Sequence, residues 1–134
     1  MLLKELIRVT INLEMESVSI FEVEAETFGR SHEKGAEIKE IFLRLAREKR
    51  TRLKKLGGYF KEGTGFRERS TQPSRSIEAA MRNHVSRSER AIVCYTGLYK
   101  QLTKQIFKDA MAAMLADERV MLADLKAFQA GFKK

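Results

Sequence analysis

An all-α four-helix bundle is the fold that this 134-residue chain predicts, on three observations. Apolar residues step by three and four through four long segments, which is the spacing of one buried helix face. The composition is rich in Leu, Ala, Glu, Lys and Arg with a single proline, a profile that favours helices over strands. The stretch GGYFKEGTGFRERSTQPS (57–74) holds five glycine and proline residues and marks the main loop. The length suits one domain over 1–134, with one core.

A first helix is expected over about 2–30, with Leu3, Ile7, Thr10, Glu14, Ser17, Phe21, Ala25 and Phe28 on its seam. GRSHEKGAE, with two glycines, breaks it. A second helix, about 37–60, places Ile38, Phe42, Leu45, Lys49, Arg52, Leu56 and Tyr59 inward. Ser74 or Ser76 could cap a third, about 76–102, with Glu78 in its first turn. Its seam is Ile77, Met81, His84, Ser88, Ala91, Tyr95, Leu98 and Leu102. A tight turn near Thr103 leads to a fourth helix, about 104–130, carrying Phe107, Met111, Met114, Glu118, Met121, Leu125 and Phe128. The two short connections make antiparallel hairpins. The central loop of about 15 residues can extend roughly 50 Å, and a helix of about 24 residues is about 36 Å long. The loop is therefore expected to cross the bundle, leaving helices 2 and 3 parallel; an up-and-down bundle is the alternative.

Several classes are disfavoured. The longest uncharged run, AIVCYTGLY (91–99), is far short of a membrane span. Lys4, Glu5, Arg8, Glu14 and Glu16 leave no apolar core for a signal peptide. Cys94 is alone, so there is no disulfide or CxxC pair, and a cytoplasmic setting is expected. The net charge of +8, concentrated in RLAREKRTRLKK (44–55), suits phosphate. No helix-turn-helix or RNA-binding signature accompanies it. No catalytic triad or phosphate loop is present. Glu22, Glu24 and Glu26 read as a solvated acidic face, His32 as a surface histidine and Cys94 as a small core or interface residue.

The seams turn polar at matching depths. Glu14, Lys49, Arg52, Ser88 and Glu118 interrupt them, and His84 lies one turn from Ser88. In a bundle these positions converge on one layer, where isolated charges would be very costly. Two carboxylates and two cations sum to zero, so mutual neutralisation is expected. The plainer alternative is that Lys49 and Arg52 snorkel out to water.

The same residues carry a resemblance. LEMESVSIF places Phe21 seven residues after Glu14, and SERAIVCY places Tyr95 seven after Ser88. LAREKRTRL and LADERVML follow on the second helix of each pair. Over almost the whole chain this resembles the ferritin-like superfamily, specifically rubrerythrin-type di-iron bundles. There each hairpin offers a Glu followed by an aromatic, then an ExxH. The resemblance implies metal-ligand positions at Glu14, Lys49, Arg52, Ser88, Glu118 and Met121. Only Glu14 and Glu118 retain a ligand: Lys49 stands at a Glu position, Arg52 and Met121 at His positions. The expectation is a degenerate site with no cofactor, in a non-catalytic protein of structural or interactive role. A rival reading is a divergent oxidoreductase handling iron or peroxide, with His84 and Glu89 as substitute ligands. A third is a basic, Dps-like protein that coats DNA. A homodimer through the helix 1 and 2 side is also expected, from the resemblance and from off-seam apolar residues Leu2, Leu6, Val18, Ile20 and Ile41.

Overall fold

The computed structural model describes residues 1–61 and 67–132. They form four helices: α1 (Leu3–Ser31), α2 (Gly35–Phe60), α3 (Ile77–Gln101) and α4 (Gln105–Ala130). Each expected helix is present, with ends shifted by one or two residues. The largest shift is at α2, which begins earlier because the turn before it is tighter than the sequence suggested. Gly35 N–H donates to the His32 carbonyl at 2.9 Å, and a Cβ on Gly35 would lie 2.3 Å from the Gly29 carbonyl oxygen. Only glycine lets α2 start so close to the end of α1. At its other end α2 stops where Lys61 turns left-handed, with φ 55°, and its N–H closes on the Gly57 carbonyl. For α3 the choice between two serines resolves in favour of Ser76, whose Oγ accepts from the Ala79 N–H at 3.1 Å.

Helix directions follow from which residues meet. Glu24 bonds His84, and Glu14 bonds Tyr95, so α1 and α3 run antiparallel. Lys49 meets Glu118 and Arg44 faces Asp124, so α2 and α4 do likewise. With each hairpin antiparallel, α2 and α3 are parallel, and the connection must traverse the bundle. Its described part does so along α1: Arg69 N–H donates to Ser19 Oγ at 2.9 Å and Ser74 N–H to Glu24 Oε2 at 2.8 Å. The start of the expected crossing, 62–66, lies outside the described residues.

The seams are the core. Phe21, Phe42, Met81, Tyr95, Leu98, Met111 and Leu125 are all sealed from water. α1 packs on α2, on α3 and under the crossing segment, and so is buried on more than one side. That accounts for three of the off-seam residues taken to mark an outer interface. Leu6, Val18 and Ile20 are buried by the chain itself, Ile41 is half-buried, and only Leu2 is exposed. No described helix is long and apolar enough to cross a membrane.

Candidate functional site: a buried ion-pair layer

Position Glu14 belongs to α1, Lys49 and Arg52 to α2, Ser88 and Tyr95 to α3, and Glu118 to α4. The helical repeat puts each on the inward stripe of its helix, and antiparallel packing brings them to one depth. Lys49 Nζ donates to Glu14 Oε1 at 2.7 Å and to Glu118 Oε1 at 2.9 Å. Arg52 Nη1 donates to Glu14 Oε2 at 3.0 Å and also to Glu118 Oε1. Ser88 Oγ donates to Glu118 Oε2 at 2.5 Å, and Tyr95 Oη to Glu14 Oε2 at 2.9 Å. Both carboxylates are fully sealed, while Lys49 and Arg52 are 3% and 6% exposed. The cations have not snorkelled out. They are inside.

Electrostatics keep the groups in these states. Burial pushes the Glu118 carboxyl up, but the adjacent Lys49 and Arg52 charges and the bonds from Ser88 and Arg52 outweigh it and leave it below the ordinary range. Burial also opposes the Arg52 charge, yet Glu14, Tyr95 and Glu118 around it hold the proton more tightly than in water. The Tyr95 phenol is driven well up, first by burial and then by Glu14, so it remains a donor. The Arg52 guanidinium also lies 5.5 Å from the Tyr95 ring centre. Each carboxylate accepts three hydrogen bonds, and the layer's charges cancel.

A second polar cluster sits next to it. His84 Nε2 lies 2.6 Å from Glu24 Oε1, and Arg87 Nη2 lies 3.0 Å from His84 Nδ1. A guanidinium only donates, so Nδ1 accepts and the ring proton is on Nε2, facing Glu24. The imidazole stacks flat on Phe21, with ring centres 4.0 Å apart. Burial pushes its pKa down to about 4, so the ring is neutral at pH 7. Burial raises the Glu24 carboxyl, but the bonds from His84 and the Ser74 backbone bring it below its ordinary value.

Three acidic or imidazole residues sit differently from what the sequence predicts. Glu24 is no solvated acid: it is fully buried, while its neighbours Glu22 and Glu26 face outward and pair with Arg50 and Lys39. Glu89 is exposed and does not replace Ser88. His84 does not lean into the central layer, because both ring nitrogens are engaged elsewhere. Met121 is buried and lies beside Arg52 on the α2–α4 side. Arg87, buried at 7% exposure, and the Tyr95 hydroxyl were not foreseen as part of the polar core. The signal for Glu24 was available, since it stands three residues after Phe21 on the buried stripe.

Two iron ions need about four carboxylates and two imidazoles in such a bundle. Lys49 Nζ sits between the Glu14 and Glu118 carboxylates, and the other positions of that pattern hold Arg52, Ser88 and Met121. These residues do not fit a di-iron centre. Among the described residues no three His, Cys, Asp or Glu side chains are grouped as a metal site. No family model matches the chain, and no curated protein or solved structure matches it either. A four-helix bundle by itself does not single out the ferritin-like superfamily.

Proposed function

We propose that this protein is a non-catalytic bundle of ferritin-like ancestry in which a lysine and an arginine have taken the place of the metal ions. Its role is that of a scaffold or binding module, not an oxidoreductase. One observation carries the reading: the Lys49 ammonium is held 2.7 and 2.9 Å from Glu14 and Glu118, bridging two fully buried carboxylates as a bound cation would. The layer is charge-neutral and hydrogen-bonded without help, so added metal gains no unsatisfied ligand. A metal would have to displace Lys49 and leave its charge buried and unpaired, which costs several kcal/mol.

The test is anaerobic titration of the purified protein with ferrous iron, followed by calorimetry and melting temperature. The expected result is no stoichiometric uptake and no rise in melting temperature. Saturable binding of one or two iron ions per chain, lost in Glu14→Gln, would overturn the proposal in favour of the oxidoreductase reading.

A further inference from the structure

The bundle is not closed evenly. α2 and α4 pack on each other only sparsely, and between them lies a cleft of about 460 Å³, a size that holds a small organic molecule. Its α2 wall includes Glu48, Arg52 and Lys55, and its α4 wall Met114, Asp117 and Met121. Arg52 connects this cleft to the buried layer. Only its Nη1 is engaged, by Glu14 and Glu118. Its Nε and Nη2 have no hydrogen-bond partner among the described residues, and neither is among the sealed, unbonded atoms. A guanidinium carries five N–H donors in a rigid fork. With Nη1 held inward, the remaining edge is left for an occupant of the cleft.

Arg44 and Asp124, which also line the cleft, pair with each other at 3.7 Å, so the remaining charged groups set the charge of that occupant. Glu48, Lys55 and Asp117 are exposed, and none of the three is in an ion pair within the described residues. A simple anion would meet the Glu48 and Asp117 carboxylates. A simple cation would meet Arg52 and Lys55. A small molecule carrying both signs close together avoids both penalties. Met114 and Met121, at 4% and 3% exposure, supply an apolar floor, and thioether side chains adapt readily to differing shapes.

We infer that the α2–α4 cleft binds a small zwitterion of the α-amino-acid class with an apolar side chain. The carboxylate lies on the free edge of Arg52 with Lys55 nearby, the ammonium faces Glu48 and Asp117, and the side chain rests on Met114 and Met121. This gives the scaffold a small-molecule input one guanidinium away from its ionic core. It stands independently of the metal question, which iron titration answers by a separate readout.

The full-length protein is titrated with L-leucine, L-methionine and L-phenylalanine, using saturation-transfer NMR and melting temperature. Isocaproate and isoamylamine, which each keep only one of leucine's charges, are the controls. At least one amino acid should bind saturably, with each control weaker than leucine by about tenfold or more. The double variant Glu48→Gln, Asp117→Asn alters only exposed positions, so the fold is retained, and it should weaken binding by about tenfold. The inference fails if none of the three amino acids binds saturably below about 10 mM. It fails equally if a control matches leucine, or if the double variant keeps the parent's affinity.

Discussion

Removing the Lys49 ammonium would leave Glu14 and Glu118 sharing the single Arg52 charge, one carboxylate in excess and neither in contact with water. Lys49→Ala should therefore cost about 3–5 kcal/mol, since breaking a buried pair strands the remaining charge. Lys49→Met, which restores volume but not charge, should also destabilise; urea melts of both variants check this, and a change within about 0.5 kcal/mol would refute it. His84 gives a pH-dependent counterpart. Its folded pKa is about 4 against an ordinary 6.5. Between these values the unfolded chain binds a proton that the folded protein does not, so stability falls as pH drops through that window. From pH 7 to pH 5 the loss from this residue should be about 2 kcal/mol, and His84→Gln should remove most of it. Equal losses in parent and variant would count against the assignment. Glu24 and Glu118, both held below the ordinary 4.5, contribute stability above that value that disappears at lower pH. The central layer was legible because Lys49 and Arg52 violate an otherwise apolar stripe. Glu24 was equally on a buried stripe, three residues after Phe21, but its outward-facing neighbours Glu22 and Glu26 gave it the look of a charged surface.

Helix ends were legible where a side chain marks them, as Ser76 does, and less so where the backbone alone decides, as at Gly35. The two kinds of glycine in α2 make a paired test. A Cβ at Gly35 would press on backbone oxygen, whereas one at Gly58 would meet nothing within 4 Å. Gly35→Ala should destabilise by about 1–3 kcal/mol, as overpacking does. Gly58→Ala should stabilise by about 0.4–1 kcal/mol by restricting the unfolded chain. Thermal melts with opposite signs are the expected outcome, and a gain at Gly35 would show that the turn relaxes freely. The crossing segment is the element that sequence periodicity describes least. Its length foretold that it crosses, but its anchoring on Ser19 and Glu24 depends on single backbone N–H groups, which leave no pattern in the residues.

At the scale of the whole molecule, the four helices must keep a common axial alignment for the layer to close. That alignment can be probed by installing ligands in the di-iron pattern that the sequence resembles. The combined variant Lys49→Glu, Arg52→His, Ser88→Glu and Met121→His replaces two buried cations and adds carboxylates and imidazoles. Without metal it should melt well below the parent, with about four like charges confined together. Ferrous iron should raise its melting temperature by mass action on the folded state, while leaving the parent unchanged. A combined variant indifferent to iron would mean that these four positions do not converge as ligands. Association is less constrained by the sequence than it first suggested, because Leu6, Val18 and Ile20 already have partners within the chain.

The two polar clusters also act as a code for assembly. The α1–α2 hairpin presents a surplus cation at one depth, Lys49 and Arg52 against Glu14, and a carboxylate, Glu24, at the next. The α3–α4 hairpin presents the complementary order, Glu118 and then Arg87, whose charge acts on Glu24 across the neutral His84 ring between them. Plus-minus meets minus-plus. Turning one hairpin end for end, as an up-and-down bundle would require, sets like sign against like at both depths, an arrangement that low-dielectric surroundings penalise severely. The chain's connectivity is thus specified twice, by the reach of the crossing segment and by a two-position ionic key. If the segment were cut, the key alone should still select the native orientation when the halves reassemble.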